Sequence, residues 1–525
     1  MNKKTGSVIS LLLSIILIFS VVCPMAFAAD TEEKNYPVIY ISGYGGNLYK
    51  EKDNSKSEMI YPLDIDLEAT LKEALEPIGT ELANGFLTGN WDKYCDEIYN
   101  VVAPLFEGIV LNPDGTTKDN SGRGFALSGK YLNKSRFSGG EAALPYDWRL
   151  SVETSAEMLS TLVDEVMRVH KVDKVNIVAR CLAGNILSAY LKNDETASQK
   201  INKAIFFIPS TEGANLIGSI FSGKIELKAE SIDTYIEEIL KYKEVIDDPA
   251  ISDFLTVMLT ILEQATVLDV SMEFLQECLE TIKNNIIPRL IRSTYGSFPS
   301  FWAMVPAEYF EDAIEFVYST PELKEEYKGT IDLARSYHEN IQKTSREDLK
   351  ALSSEIEISV ISKYNLPLPP LFAECNAMSD GVTETVYTSF GATTNKYNKA
   401  LSADYIASIS QENMKYLSPD KKIDASTCLF PDTTWFLKNS YHDHFPDCVD
   451  VLLETILTSD NMTVFSNETY PQYLDAEVEG LELVPVVGED KERPELDSKE
   501  GKLDMIFRFV RAIINFFIML FTKAK

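Results

Sequence analysis

The stretch that most restricts what this chain can fold into is Lys174 to Tyr190. Val175, Ile177 and Val178 make a short β-rich apolar run, Arg180 to Gly184 a compact turn, and Ile186, Leu187, Tyr190 and Leu191 a helical stripe. The order strand, tight turn, helix is that of a nucleophile elbow, in which a sharp bend pushes one side chain out at the carboxyl edge of a sheet. Its usual form is Gly-x-Ser-x-Gly, and here the five positions are Ala179, Arg180, Cys181, Leu182 and Ala183. Two readings stand on these residues alone. Cys181 is either a nucleophile or a buried structural cysteine in an ordinary βα unit, since free cysteine is among the most buried residue types.

Around this segment the pattern alternates. Tyr36 to Ser42 is a β-rich run ending in Gly43-Tyr44-Gly45-Gly46, and no Lys-Ser/Thr follows as in a phosphate-binding loop. That loop is therefore expected to form an oxyanion loop, with Tyr44 offering its backbone N–H. Leu144 to Leu150 precedes a helix over Ser151 to Val169 that leads to the elbow strand, and Ala204 to Ile208 gives the next strand. Between Ala214 and about Leu349 the alternation stops in favour of helical patterns, with candidates at Ile232 to Tyr242, Phe254 to Leu262 and Phe274 to Ile286. Strands resume at Ile356 to Ile361 and Thr433 to Leu437. The expected fold is α/β, with a mostly parallel central sheet, helices on both faces and a helical cap inserted over residues 214–349 between two core parts, 36–213 and 350–460.

A thiol nucleophile needs a base, and the base needs an acid to hold it. The chain has four histidines. His170 falls on the helix before the elbow strand and His338 inside the helical block, which leaves His442 and His444 after the last strand. His442 is the preferred base, because it comes first after that strand, with His444 as the alternative. Asp380, in the step Asp380-Gly381, is either a turn-former or the orienting acid. The order Cys181, Asp380, His442 favours the acid. Leu182, next to the nucleophile, would supply the second oxyanion donor.

Val38 to Gly46, Pro145-Tyr146-Asp147-Trp148-Arg149-Leu150, the elbow, Pro209 to Gly213, Asp380-Gly381 and the late histidine together resemble the lecithin:cholesterol acyltransferase-like branch of the α/β-hydrolases. The resemblance runs from about Tyr36 to Leu457 and implies a lipid esterase or acyltransferase with an apolar cap, no metal and no diffusible cofactor. Where that family has Gly-His-Ser-x-Gly, this chain has Ala179-Arg180-Cys181-Leu182-Ala183. A cysteine is chemically reasonable there, since Arg180 and a nearby imidazolium would favour the thiolate. The second reading is a catalytically silent, hydrolase-like protein that binds lipid or cell-surface ligands.

Composition bounds the rest. The chain of 525 residues carries a formal charge of -31, a surface that repels nucleic acid phosphates. Met1 to Ala28 has Lys3 and Lys4, an apolar run and Ala26-Phe27-Ala28, the pattern of a signal peptide, so a secreted protein is expected. Glu, Asp and Pro dominate Tyr470 to Lys502, read as an acidic solvated linker. Beyond it Met505 to Phe521 is apolar but interrupted by Arg508, Arg511 and Asn515, which fits a cationic amphipathic helix on a membrane surface better than a span. Cys375 and Cys428 are a candidate disulfide, because their segments should converge near one site.

Overall fold

Among the described residues eight strands, most of them short apolar runs, build the central sheet. In chain order they are β1 (Val38–Ile41), β2 (Glu141–Ala143), β3 (Val175–Arg180), β4 (Ile201–Phe207), β5 (Glu357–Tyr364), β6 (Thr434–Lys438), β7 (Tyr473–Asp475) and β8 (Val484–Pro485). Across the sheet the order is β8-β7-β6-β5-β4-β3-β1-β2, and every pairing is parallel except that of β7 with β8. The computed structural model describes residues 35–54, 56–63, 77–81, 83–85, 87–124, 140–226, 231, 235, 272–476 and 482–488. From Pro37 onward these form one unit. The expected signal peptide, the expected helix at 254–262, most of that at 232–242, and the segment 503–525 lie outside the described residues.

Side chains alternate across each strand, so one sequence serves two cores. Ile39, Ile41, Ile177, Ala179, Ala204 and Phe206 enter one cluster, together with Leu159, Leu162, Val163 and Val166 of helix α1 (Val152–His170) and Ile186, Leu187 and Tyr190 of helix α2 (Leu182–Asn193). Val38, Val178, Ile205, Phe207, Ile361 and Leu437 enter the other, against Val449, Leu452, Leu453 and Ile456 of helix α3 (Asp447–Thr458). Burial on both faces explains the continuous apolar runs that mark a parallel sheet. Each large side chain so buried contributes about 1.5–3 kcal/mol. This is a mixed α/β architecture, consistent with an α/β-hydrolase fold.

Helix α1 delivers the chain to the elbow strand. Ser151 opens it, its Oγ accepting from the Thr154 N–H at 3.1 Å, a cap of about 1 kcal/mol. Between β4 and β5 the described elements are all helical, from Asn215–Phe221 through Met272–Ser293, Lys328–Asn340 and Ser345–Leu352. The helix expected at Phe274 to Ile286 runs on to Ser293, past Pro288.

Two expectations need correction. The stretch from Tyr470, read as linker, contains β7 and β8, with Leu474 and Ala476 fully buried and β7 paired to β6. Three-residue pairing and burial decide there, against an acidic composition. Cys375 and Cys428 are not joined by a disulfide and lie in separate apolar clusters, Cys375 with Leu368 and Phe372, Cys428 with Met378 and Phe436. The Cys428 thiol instead donates to Thr434 Oγ1 at 3.7 Å.

Candidate active site

Cys181 occupies the single residue between β3 and α2 with φ 53 and ψ -121. No regular element uses that combination, and a side chain with a Cβ adopts it only at a cost of about 1–3 kcal/mol. The surroundings over-determine the bend. The Cys181 N–H donates to Phe207 O at 3.0 Å, and its carbonyl accepts from Gly184 N at 2.8 Å and Ser210 N at 3.2 Å. Ala179 and Ala183 are fully buried with their methyl groups accommodated. The closest approaches fall on other glycines. A Cβ on Gly184 would stand 2.6 Å from Pro209 Cβ, and one on Gly43 would stand 2.9 Å from Cys181 Cβ. Gly43 thus lets the loop after β1 lie directly against the elbow.

That loop is held from behind by the motif at 145–150. The Tyr146 hydroxyl is within 2.9 Å of both the Ser42 and the Gly43 carbonyls, and Trp148 Nε1 donates to Gly46 O at 3.1 Å. Between them Asp147 and Arg149 form a buried ion pair at 2.7 Å. Arg149 also donates to Ile109 O at 2.8 Å and Ser121 O at 3.3 Å, so its charge is matched on several sides. The clamp places Tyr44 in the loop's middle, its ring 4.7 Å from Trp148 and 5.2 Å from Phe301. Leu182 opens α2, and the first N–H of a helix has no acceptor within the helix.

His442 and Asp380 come together from separate loops. His442 Nδ1 lies 2.7 Å from Asp380 Oδ2, and the His442 backbone N–H donates to the Asp380 carbonyl at 2.9 Å. Asp380 Oδ1 accepts from Val382 N at 2.9 Å and Thr383 N at 2.7 Å. Burial works to raise the Asp380 pKa, but the charge and hydrogen bond of His442 and these two N–H groups hold it below the usual carboxylate value. For His442, burial pulls the other way, yet the charge of Asp380 and the nearby Cys181, each also hydrogen-bonded to the ring, lift it to about 10. Cys181 itself is half-buried rather than sealed.

The other candidate bases lie elsewhere. His338 spends both ring nitrogens on Gln342 Oε1 at 2.7 Å and Trp302 O at 2.9 Å, and His170 is the last residue of α1. The backbone N–H of His444 donates to the Tyr441 carbonyl at 3.0 Å, and it is the His442 ring that meets Asp380. Arg180 turns to Asp443, at 2.9 Å, with its guanidinium 4.1 Å from the centre of the Phe445 ring. Asp380 does not directly follow a strand. It stands in the loop after β5, tied back through a bridge between Leu366 and Ser379.

Two buried groups here carried no sequence signal. Glu384, beside Asp380, accepts from Asn215 N at 3.3 Å, and burial pushes its carboxyl up to about 7. Lys363, fully buried on β5, lies beneath the histidine loop. Their partners are too distant in sequence for spacing to reveal them. A cleft of about 600 Å³ lined by Lys52, Arg123, Thr116, Ser151, Leu150 and Leu333 sits against Asp147, with neither Cys181 nor His442 in its wall. Among the described residues no group of three or more His, Cys, Asp or Glu is arranged to hold a metal ion.

No curated protein matches this sequence at a significant level. Residues 132–373, which include the Tyr146 to Arg149 clamp and the elbow but stop short of Asp380 and His442, match the family model of lecithin:cholesterol acyltransferase, so the chain is similar over that stretch to an α/β-hydrolase-like family of acyltransferases.

Proposed function

We propose that the protein is a secreted acyl-ester hydrolase or O-acyltransferase acting on lipid-like esters through Cys181, His442 and Asp380. The observation that carries this reading is one alignment at a strained elbow, with Asp380 on His442 Nδ1 at 2.7 Å and Cys181 near enough to the same ring to help raise its pKa. A purely structural cysteine has no use for a buried imidazole and carboxylate aligned behind it. A silent binding protein would have no reason to keep that alignment either.

In the proposed cycle, Cys181 Sγ adds to the ester carbonyl carbon as the C=O electron pair moves onto oxygen. The backbone N–H groups of Tyr44 and Leu182 stabilise that oxyanion, each by about 3–4 kcal/mol. Collapse breaks the C–O bond, and the imidazolium of His442 gives its proton to the departing alkoxide, leaving a thioester. His442, now neutral, takes a proton from water or an acceptor alcohol as its oxygen attacks the thioester carbonyl. A second tetrahedral intermediate then collapses, and the sulfur leaves as thiolate. Asp380 holds the ring's tautomer throughout.

Export is supported by the Met1 to Ala28 pattern, and membrane-surface attachment by the cationic, apolar segment Met505 to Phe521. Among the described residues no helix is long and apolar enough to cross a membrane. The deciding experiment incubates purified protein with p-nitrophenyl esters of rising chain length and maps any acyl adduct by mass spectrometry. An adduct on Cys181, absent in Cys181→Ala and slow to form in His442→Ala, is the expected result. Equal acylation of the folded variants would sink the reading.

A further inference from the structure

The loop that carries His442 is held by a buried cation. Lys363 is the penultimate residue of β5, with its side chain fully buried. Its ammonium donates to the carbonyls of Tyr441 at 2.8 Å, His442 at 3.2 Å and His444 at 2.7 Å. An ammonium has three N–H bonds, and three acceptors converge on it from one four-residue stretch. Its Nζ also lies 4.1 Å from the centre of the Phe445 ring and 5.6 Å from that of Phe207.

Taking such a charge out of water costs several kcal/mol even after relaxation, and an apolar residue of similar volume is often as good or better for stability. Stability alone is therefore a poor explanation for a lysine here. What the lysine does, and a methionine could not, is fix the direction of three carbonyls flanking the histidine. From the other side Arg180 holds the same loop, bonding Asp443 at 2.9 Å and standing 4.1 Å from the centre of the Phe445 ring. The Phe445 ring thus has a cation near it from the strand below and another from the residue before Cys181. The His442 backbone N–H is committed to the Asp380 carbonyl. Little freedom remains for the ring except the orientation that meets both Asp380 and Cys181.

We infer that Lys363 is a positioning residue that sets the reach of the His442 imidazole toward Cys181 by holding the carbonyls of Tyr441, His442 and His444. This rests on the reading of His442 as the base, and the test separates the two claims. Lys363→Met keeps the length and removes the donors. Misplacement of a catalytic group by about 1 Å can cost ~100-fold, so kcat for a p-nitrophenyl ester should fall by about that factor while KM stays within about twofold. Lys363→Arg, which restores donors, should recover part of it. Independently of turnover, the downfield proton resonance of His442 Nδ1 on Asp380 should be present in the wild type and weakened or lost in Lys363→Met. A variant that folds yet keeps both kcat and that resonance overturns the proposal. If the wild type turns over no ester but the resonance still responds to Lys363→Met, the positioning role stands and the catalytic reading falls. Should Lys363→Met not fold, the wild type alone decides through selectively labelled lysine. The Lys363 ammonium protons should be protected from exchange and coupled to the histidine loop, and rapid exchange there overturns the proposal.

Discussion

Glu384→Gln is expected to stabilise the protein at pH 8 and to leave it nearly unchanged below about pH 4.5. Glu384 is almost fully buried, its Oε2 takes one long hydrogen bond from Asn215 N at 3.3 Å, and Oε1 has no hydrogen-bond partner among the described residues. Burial first, and then the charge of Asp380, raise its pKa from 4.5 to about 7, against the lowering effect of backbone N–H groups. Below about pH 4.5 the carboxyl is protonated in both folded and unfolded chains and costs nothing extra. Between 4.5 and 7 the unfolded chain releases the proton while the folded one retains it, so stability falls as pH rises. Above 7 the full penalty applies, ~3 kcal/mol at about 1.4 kcal/mol per pH unit. A glutamine has no proton to lose, and its Oε1 can keep the Asn215 bond. Urea titrations of both proteins at half-unit steps from pH 4.5 to 8 measure the difference. Every other titrating group is common to the two chains, so its contribution cancels to first order. A difference that grows to ~3 kcal/mol in favour of the glutamine is the expected result. A difference flat with pH would refute the argument, because it would mean that Glu384 ionises as easily inside the protein as outside it.

Other predictions follow from the elbow and its support. Cys181 is only half-buried and lies beside the charged His442 ring, so iodoacetamide should alkylate it at pH 7 and His442→Ala should slow that alkylation. An alkylation rate identical in both proteins argues against the contact. Gly43→Ala places a Cβ 2.9 Å from Cys181 Cβ and 3.1 Å from the Arg180 carbonyl, backbone that cannot swing away. Ester turnover should drop more than ~10-fold, with ~1–3 kcal/mol lost in a denaturant titration. Arg149→Leu strands Asp147 without its partner and should destabilise by ~3–5 kcal/mol, whereas the double change with Asp147→Leu should recover most of that. Ala183→Gly should cost ~1 kcal/mol as a helix substitution and leave kcat alone, while Gly184→Ala, aimed at Pro209, should lower kcat.

What was legible in the sequence was whatever depends on local pattern. The runs at Val175 to Val178, Ala204 to Ile208 and Ile356 to Ile361 fall on the strands Val175–Arg180, Ile201–Phe207 and Glu357–Tyr364, each overrunning its strand by at most one residue, because both of their faces are largely apolar. Glu141–Ala143 is a strand by pairing alone, its register with Val38–Tyr40 compensating for three residues with no β preference. Tyr473–Asp475 escaped notice for the same reason, submerged in an acidic segment. The pair Asp380 and His442 could be proposed from chain order, but their juxtaposition could not be derived from it. The motif at 145–150 stood out as specific without disclosing its purpose, which is to hold the carbonyls of Ser42, Gly43 and Gly46 across about a hundred residues of chain.

Both motif glycines are replaced by alanine, and the structure explains why the bend survives it. In Gly-x-Ser-x-Gly the glycines serve close approach around a strained residue. Here Cys181 carries the positive φ of the bend, at 53, and the tight contacts lie at Gly43, against the cysteine, and Gly184, against Pro209. Ala179 and Ala183 add methyl groups to the buried core and take the place of flexibility that would have to be lost on folding. The substitutions therefore stiffen the bend. A stiff elbow suits a sulfur nucleophile whose Cβ is already set directly against the loop at Gly43. Accuracy then falls to the partners that must come to the sulfur, the loop at Gly43 and the loop at His442, and each is braced by buried polar groups, Tyr146 and Trp148 behind one and Lys363 beneath the other.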